Sequence, residues 1–300
     1  MSLFNKLVVA TLPAIPKSVV KIVAQRYIAG DKLHDAVRVT QQLMSKGASS
    51  TIDVLGEFVT TRERAVSETA AQSAVLDAIA ENGLHSYLSV KPTSLGLDVD
   101  RDFAFANLTS LVSKAKDKGI FVRMDMENTP YTDITLDFYK RLRRDGFDNV
   151  GVVIQAYLKR SEQDIRSLLE FAPSIRLCKG IYVESAEVAF KDADQIRDNY
   201  KKLLGMLLTS DARAHIATHD ELLIADAERQ VATHRSDGSN VEFQMLLGVR
   251  EDRRDQLLKA GHAVRIYVPF GDDWYGYSTR RLKENPQVAG YVAKAFLTGS

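Results

Sequence analysis

The run "NVGVVIQAY" at residues 149–157 decides the fold, because apolar residues fill nearly every position rather than every second one. A strand that is apolar on both faces is typical of a parallel sheet covered by helices. Amphipathic stretches separate such runs; in "ITLDFYKRLRRDGF", Leu136, Tyr139 and Leu142 have helical spacing. Similar runs recur at residues 50–57, 85–93, 120–127, 174–182, 214–221, 240–248 and 263–271.

This alternation of strands and helices predicts an α/β fold with a parallel sheet. Eight strand and helix units over about 250 residues match the size of a closed (β/α)8 barrel. We therefore predict a TIM-type barrel as the catalytic domain over residues 46–300. A helical segment over residues 1–45 would precede it, since "DKLHDAVRVTQQLMSKG" has a helical pattern. A doubly wound open sheet is the alternative arrangement of the same elements.

The composition restricts the class of partner. The chain has 300 residues, with 40 Lys and Arg against 39 Asp and Glu, so no net field attracts nucleic acid or an anionic membrane. We expect no nucleic-acid partner. The single cysteine, Cys178, cannot form an intramolecular disulfide, which favours a cytoplasmic location. No run approaches the roughly 20 apolar residues of a membrane span, so any membrane contact should be peripheral, at the inner face.

Polar residues stand at the end of nearly every predicted strand, which is where a barrel enzyme carries its site. Several lie among apolar neighbours, as Arg176 does between Ile175 and Leu177. A charge in such surroundings costs several kcal/mol unless a partner or ligand compensates it, so the set predicts a site. The strand-end residues are Asp53, Glu57, Lys91, Asp125, Glu127, Gln155, Arg176, Lys179, Thr218, His219, Glu242, Gln244 and Tyr267.

Cofactor motifs narrow the chemistry. Neither G-x-G-x-x-G nor G-x-x-x-x-G-K-[ST] occurs, so no Rossmann or P-loop cofactor site is indicated. His215 and His219 are four residues apart on a predicted strand and its end, so we expect no metal site. A Schiff-base aldolase is an alternative, because Lys91 or Lys179 could form the Schiff base if burial lowered its pKa. A barrel that only binds a small acid is the non-enzymatic alternative.

A pair of arginines follows the last predicted strand, in "WYGYSTRRLKENP" at residues 274–286. Adjacent helical residues point about 100° apart, so Arg280 and Arg281 cannot both face water if their helix covers the barrel mouth. Glu284 lies within one turn of both and can orient them. Because a planar guanidinium suits a carboxylate, we expect an acidic substrate here, with aromatic residues such as Tyr277 as a dry wall.

These blocks together resemble the proline dehydrogenase family. "LSVKPTSLG", "FVRMDMEN", "VGVVIQAYL", "RLCKGIY", "IATHD", "VEFQMLLG" and "RIYVPFGDDWYGYSTRRLKENP" occur in the family's order, from about residue 50 to 290. The resemblance implies a (β/α)8 barrel that binds FAD non-covalently. It implies oxidation of L-proline to Δ1-pyrroline-5-carboxylate by hydride transfer from C5 to flavin N5, the first step of proline catabolism to glutamate. Electrons would pass to a quinone, and the product to a separate pyrroline-5-carboxylate dehydrogenase.

The resemblance also assigns residue roles. Asp125 and Arg176 would be catalytic, with Arg176 near the reactive edge of the flavin. The substrate-binding residues would be Lys91, Tyr182, Leu246, Tyr267, Tyr277, Arg280, Arg281 and Glu284. The cofactor-binding residues would be Met126, Gln155, Arg176, Lys179, Gly180, Ile181, Thr218, His219 and Gln244. Ile181 stands where the family usually has alanine, a difference that bears on ring packing.

The arginine pair generates a first test. We expect Arg281→Lys to raise the KM for proline about tenfold or more while changing flavin affinity little, because a point charge cannot replace a bidentate fork. Steady-state kinetics and flavin titration measure the two effects separately. An unchanged KM would contradict the carboxylate clamp.

Overall fold

A closed barrel of eight parallel strands forms the centre of the computed structural model, which describes residues 26–275 and residue 277. Each strand pairs with the next, and β1 closes the barrel against β8 with Ser49 opposite Arg265. The predicted (β/α)8 barrel is confirmed, and the open sheet is excluded. The strands are β1 (Ser49–Val54), β2 (Ser86–Val90), β3 (Val122–Met124), β4 (Val150–Gln155), β5 (Ser174–Cys178), β6 (Arg213–Ala217), β7 (Val241–Leu246) and β8 (Val264–Phe270).

Helices alternate with the strands and cover the outside of the barrel. The first, α1, packs against β8 and β1 before the barrel begins, as the helical pattern of its sequence predicts. The remainder of the predicted N-terminal helical segment, residues 1–25, lies outside the described residues. The helices are α1 (Leu33–Ser45), α2 (Arg62–Glu81), α3 (Arg101–Asp117), α4 (Thr129–Arg144), α5 (Ser161–Arg166), α6 (Ala193–Leu208), α7 (Glu221–His234) and α8 (Glu251–Lys259), with short 3-10 helices at Pro92–Leu95 and Leu169–Phe171.

Aspartates begin several of these helices, because the first N–H groups of a helix have no partner within it. Asp100 accepts a hydrogen bond from the Phe103 N–H at 2.7 Å and so starts α3. Asp192 starts α6 in the same way, and Asp220 starts α7 by accepting from the Leu222 N–H at 3.2 Å. Each cap fixes the point at which a loop at the barrel mouth turns back into a helix.

The two faces of the strands differ more than the sequence predicts. Side chains on the outward face, such as Ile52, Val152 and Phe243, are buried against the helices and form the hydrophobic core. Side chains on the inward face are largely polar, because successive residues of a strand point to opposite sides. In the lower half of the barrel they form what we term the interior polar layer: Arg123, Ser174, His215, Glu242 and Arg265, all buried or nearly so.

The interior polar layer corrects one sequence prediction. The sequence predicts Glu242 at the mouth with the other strand-end residues, but it lies lower in the barrel. There it accepts two hydrogen bonds from Arg265, at 2.8 and 2.9 Å. The side chain falls two positions before Gln244 on the same face of β7, and Gln244 is the residue that reaches the cavity.

Gly151 makes room for the largest side chain of this layer. Arg123 is fully buried, and its Nη1 donates to the Val152 carbonyl at 2.9 Å and to the Ser174 carbonyl at 2.6 Å. A Cβ on Gly151 would lie 2.5 Å from that Nη1 and 2.6 Å from the Ser174 carbonyl oxygen. The absence of a side chain at position 151 therefore lets Arg123 cross from β3 to β5.

The segment before α1 lies at the barrel mouth, against the ends of β7 and β8. The Ala29 N–H donates to the Pro269 carbonyl at 2.9 Å, and the Gly271 N–H donates to the Gly30 carbonyl at 3.0 Å. Arg26 Nε also donates to the Gly248 carbonyl at 3.1 Å. We term residues 26–30 the mouth segment; it holds the ends of β7 and β8 together. Within the described residues, no helix has the length and apolar content needed to cross a bilayer.

Gly151→Ala tests the crossing of Arg123. We expect the free energy of unfolding to fall by about 1–3 kcal/mol, because the added methyl group has backbone on one side and a buried guanidinium on the other. Denaturant unfolding measures the change. Gly205→Ala in α6 is the matched control, since its Cβ would meet only the end of the Gln230 side chain at 3.2 Å. Equal stabilities of the two variants would contradict the packing argument.

Candidate active site

A cavity of about 1070 Å³ opens at the carboxyl ends of the strands, which is where barrel enzymes bind their ligands. This volume is at the upper end of the range for small-molecule pockets and is large enough for a cofactor beside a small substrate. The structure brings these predicted site residues together on its wall: Lys91, Asp125, Met126, Gln155, Arg176, Lys179, Gly180, Ile181, Tyr182, Thr218, His219, Gln244, Leu246, Tyr267 and Tyr277. Arg280, Arg281 and Glu284 lie outside the described residues.

An ion pair between β1 and the end of β2 forms one side of the cavity. Lys91 Nζ donates to both carboxylate oxygens of Asp53, at 2.9 and 3.0 Å. Burial raises the pKa of Asp53 from its ordinary 3.8 to about 6, although Lys91 opposes this shift. Burial alone would lower the pKa of Lys91, but Asp53, Tyr267 and Asp125 outweigh it and hold that pKa well above its ordinary value. Lys91 therefore stays an ammonium group, which argues against a Schiff base at this residue.

Asp125 is the centre of the polar network at the mouth. Its Oδ1 accepts from Ser89 Oγ at 2.9 Å and from Arg176 Nη1 at 2.8 Å. Its Oδ2 accepts from the Tyr267 hydroxyl at 3.0 Å and lies 3.7 Å from Lys91 Nζ. Burial keeps the pKa of Tyr267 well above its ordinary value, so the hydroxyl is a donor. Asp125, at the end of β3, thus connects to three other strands through one carboxylate: to β2 by Ser89, to β5 by Arg176 and to β8 by Tyr267.

The charges of this network balance among the described residues. Lys91 and Arg176 supply two positive charges, and Asp53 and Asp125 supply two negative ones. The resemblance assigns no role to Asp53, although it is one of the predicted strand-end residues. In the structure it supplies the negative charge beside Lys91.

Arg176 has donors directed at the cavity. Its Nε donates to Gln244 Oε1 at 2.6 Å and its Nη1 is held by Asp125. Its guanidinium carbon lies 5.4 Å from the centre of the Tyr267 ring. Nη2 has no hydrogen bond to any residue that the structure describes. A positively charged donor that is fixed on two sides and open on the third fits the electron-rich edge of a bound ring, so this wall is suited to a flavin.

The opposite rim of the cavity lies at the N-terminus of α7. Asp220 accepts from Lys179 Nζ at 3.2 Å and from Arg197 Nε at 2.9 Å. Burial would raise the pKa of Asp220, but Arg197 and Lys179 bring it below its ordinary value. Lys179 is exposed and ion-paired rather than buried, so the condition for a Schiff base is not met there either. Next to this cluster, His219 Nε2 accepts from the Leu246 N–H at 2.9 Å.

Gly180 fixes the course of the loop that follows β5. Its φ is 109°, a left-handed region that favours glycine, and a Cβ would lie 2.2 Å from the Tyr157 ring. The chain can therefore turn over Tyr157 and place Ile181 and Tyr182 on the cavity wall. Burial raises the pKa of Tyr182 well above its ordinary value, so it too remains a neutral phenol.

Glu127 does not line the cavity, contrary to its prediction as a strand-end site residue. It is fully buried and accepts from the Thr93 N–H at 3.1 Å and from Thr93 Oγ1 at 2.5 Å. Thr93 Oγ1 in turn accepts from the Phe58 N–H at 2.9 Å, and Gln155 Nε2 donates to the Glu127 carbonyl at 2.9 Å. Glu127 therefore ties together the loops after β1, β2 and β3. Burial raises its pKa from an ordinary 4.5 to about 7.

Some residues of the site carried little signal in the sequence. Ser89 lies two positions before Lys91 and therefore on the same face of β2. This spacing could have identified Ser89 as a residue that points into the barrel. Tyr27 comes from the mouth segment and lines the cavity, and nothing in its local sequence indicates this. Among the described residues, no group of three or more His, Cys, Asp or Glu side chains is arranged to hold a metal ion.

A closed parallel barrel with paired carboxylates and cations in a cavity at its carboxyl end defines a (β/α)8 enzyme. Comparison with known proteins identifies which one. The family model described as "Proline dehydrogenase" matches residues 36–294. The chain belongs to the proline dehydrogenase family, and it is therefore an oxidoreductase of proline catabolism. Membership of this family implies a flavin cofactor.

Individual relatives agree with this assignment. The chain is 39% identical to "Proline dehydrogenase 1" of Bacillus subtilis over 274 residues, which cover 91% of this chain and 90% of that protein. It is 36% identical to "Proline dehydrogenase" of Deinococcus radiodurans over 280 residues, 92% of this chain and 90% of that protein. Among solved structures, proline utilization A of Bdellovibrio bacteriovorus inactivated by N-propargylglycine shares the fold, with a TM-score of 0.83 and 24% identity. That match covers 88% of this chain but 32% of the longer protein.

Glu127→Gln tests the buried carboxylate. Because the folded protein holds the Glu127 proton more tightly than the unfolded chain does, its contribution to stability falls as pH rises from about 4.5 to about 7 and is constant above that. We expect the variant to lose this part of the pH dependence, a difference of about 3 kcal/mol across the window. Denaturant unfolding at a series of pH values measures it. Glu170→Gln, at an exposed residue, is the control, and a Glu127→Gln profile parallel to that of the parent protein would refute the argument.

Proposed function

We propose that this protein oxidises L-proline to Δ1-pyrroline-5-carboxylate in the cavity at the barrel mouth, with FAD as the hydride acceptor. The observation that carries the proposal is the placement of Lys91 and Arg176 on one cavity wall, each held by its own carboxylate. Membership of the proline dehydrogenase family supports it independently. The reaction would be the first step from proline to glutamate.

The substrate end of the cavity would be the part around Lys91. Its ammonium is fixed by Asp53 and offers positive charge to the proline carboxylate, together with Arg280 and Arg281 from beyond the described residues. Tyr182, Leu246, Tyr267 and Tyr277 would pack about the pyrrolidine ring. A substrate gripped at its carboxylate has a fixed ring orientation, and such positioning lowers the barrier by several kcal/mol in well-oriented reactions.

The proline nitrogen must lose a proton before a hydride can leave C5. Positive charge near an ammonium group lowers its pKa, and Lys91 and Arg176 would act in this direction beside the two arginines. Asp53 and Asp125 offset that effect where they lie close. The pocket would therefore favour the neutral amine if the positive charge of Arg280 and Arg281 exceeds the negative charge that Glu284 contributes beside them.

The cofactor end would be the part between β4 and β7. Gln155, Arg176, Gln244, Thr218 and His219 would supply polar contacts to FAD from the strand ends. Met126, Lys179, Gly180 and Ile181 would complete the pocket. When bound, FAD would supply the ring system that takes up the hydride at its N5 atom. The chain's own contribution is to exclude water, to fix the Arg176 guanidinium by Asp125 and Gln244, and to orient the substrate.

Two partners follow from the chemistry of this proposal. Reduced flavin must pass its electrons on, and we propose a quinone as acceptor, with the protein in the cytoplasm and at the periphery of the inner membrane face. The product would be consumed by a separate pyrroline-5-carboxylate dehydrogenase. The match to "Bifunctional protein PutA" of Escherichia coli covers 93% of this chain but only 25% of that protein. The word "bifunctional" therefore describes a protein much longer than this chain.

The visible spectrum tests the proposal against its alternatives. A purified protein that is yellow and bleaches when L-proline is added without oxygen supports it, provided that pyrroline-5-carboxylate is trapped as the product. A colourless protein that borohydride links to an aldehyde would instead be a Schiff-base aldolase. A colourless and inert protein would be a binding protein. The high pKa of Lys91 already weighs against the aldolase.

Arg176→Ala tests the residue nearest the proposed reacting atoms. We expect the rate of flavin bleaching by proline in a single turnover to fall about a hundredfold, because the variant loses a charged donor in a water-poor cavity. Stopped-flow spectroscopy measures the rate at saturating proline. Arg166→Ala is the control, since Arg166 is exposed on α5 and pairs with Glu162 at 2.8 Å. An unchanged rate in Arg176→Ala would contradict the assigned role.

A further inference from the structure

The side-chain amide of Gln244 links the interior polar layer to the cavity. Its Nε2 donates downwards to His215 Nδ1 at 2.9 Å and to Glu242 Oε1 at 2.7 Å. Its Oε1 accepts from Arg176 Nε at 2.6 Å. Gln244 and Arg176 line the cavity, whereas His215 and Glu242 do not. The residue that contacts Arg176 is therefore itself held from below.

The amide of Gln244 has one orientation that satisfies all of these contacts. Its NH2 group faces two acceptors, and its oxygen faces a donor. Rotating the amide by 180° would set its oxygen against the Glu242 carboxylate and its NH2 against the Arg176 guanidinium. Both new contacts would be repulsive in a buried site, where each lost hydrogen bond is costly.

His215 presents an acceptor only in one protonation state. Its Nδ1 faces two donors, Gln244 Nε2 and Arg123 Nη2, the latter at 3.1 Å. Its Nε2 lies 3.4 Å from Ser174 Oγ, which can accept the ring N–H. The neutral imidazole with its proton on Nε2 fits these neighbours, and a proton on Nδ1 would leave two donors facing a third.

The surroundings keep this imidazole neutral. Burial lowers the pKa of His215 well below its ordinary value, and Arg123, Arg265, Arg176 and Arg213 add to the effect. Glu242 Oε1 lies 3.5 Å from Nδ1 and opposes it, but Arg265 already engages that carboxylate through both oxygens. The ring also stacks on Tyr87, with 6.3 Å between centroids and 21° between planes, which fixes its tilt.

We propose that His215 is a positioning residue: as a neutral acceptor it sets the amide orientation of Gln244, and through Gln244 it aims Arg176 into the cavity. The catalytic part of this inference rests on the proposed function, whereas the structural part does not. His215 is the informative member of the layer to change. Replacing Glu242 would leave the buried Arg265 without its carboxylate, and that would disturb the whole barrel.

Two substitutions separate the effect of the His215 hydrogen-bond acceptor from the effect of its side-chain volume. His215→Asn can keep an acceptor oxygen near the position of Nδ1. His215→Leu keeps a similar volume and removes the acceptor. His262→Leu is the matched control, because His262 packs at a tilt against Phe243, with 4.9 Å between ring centroids, and has no hydrogen bond to Gln244 within the described residues.

Nitrogen NMR of the histidine-labelled protein tests the protonation state without any substitution in the measured sample. We expect one histidine, identified by its loss in His215→Asn, to be neutral with its proton on Nε2 at neutral pH, and to stay neutral at a more acidic pH where an exposed histidine is already charged. A proton on Nδ1, or a charged ring at neutral pH, would overturn the proposal. This readout needs neither substrate nor turnover.

Single-turnover reduction by proline tests the effect on Arg176. We expect His215→Leu to lower the limiting rate about tenfold with little change in the apparent affinity for proline, and His215→Asn to recover most of the rate. In an Arg176→Ala background, His215→Leu should cause no further loss, because the two residues act along one path. A further tenfold loss in that background, or a parent-like rate in His215→Leu, would overturn the proposal.

The outcomes distinguish this inference from the proposed function. If proline does not bleach the parent protein, the proposed function fails, and the NMR result still decides the structural part of the inference. If proline bleaches the parent but His215 carries its proton on Nδ1, the proposed function stands and the inference fails. Should His215→Leu not fold, the protonation state in the unaltered protein and the His215→Asn rate remain as tests.

Discussion

Lys91, Arg176 and Arg265 lie inside the barrel of this protein, and each has a carboxylate beside it. Removing an ion from water costs several kcal/mol even after the protein relaxes, so the partners must be in place when the barrel closes. Strand register provides them. Asp53 of β1 lies opposite Ser89 of β2, and Lys91 follows two positions later on the same face. A slip of one residue would turn the carboxylate towards the helices and leave the lysine unpaired.

This constraint explains which features the sequence predicts. The alternation of apolar runs and amphipathic stretches predicts each strand, because a strand covered by helices must carry an apolar outward face. The pattern does not tell which face is inward. The inward face of β3 carries Arg123, which donates to Ser174 of β5. The inward face of β8 carries Arg265, which donates to Glu242 of β7 and to the Ser50 carbonyl of β1. Such partners are adjacent only in the folded barrel, so neither the interior polar layer nor the position of Glu242 could be predicted locally.

The candidate site shows the same division. Resemblance to a family identified most of the cavity wall within the described residues, since short blocks such as "RLCKGIY" retain both strand and loop. It did not indicate that Asp53 neutralises Lys91 or that Glu127 supports three loops from outside the cavity. Those roles depend on distances between loops. The site has two layers of side chains. The upper layer faces the cavity, and the interior polar layer lies beneath it. Hydrogen bonds of Gln244 connect the two.

The closure of the barrel by its first and last strands has a consequence during synthesis. Arg265 donates to the Ser50 carbonyl across 215 positions of the chain, and the mouth segment bonds to residues at the end of β8. A ribosome adds about 5–20 residues per second, so β1 emerges about 10–40 s before its second neighbour exists. Throughout that interval the nascent sheet has two open edges and a charged inner face exposed to water. The growing chain is thus most open to chaperones and to aggregation just before β8 leaves the ribosome.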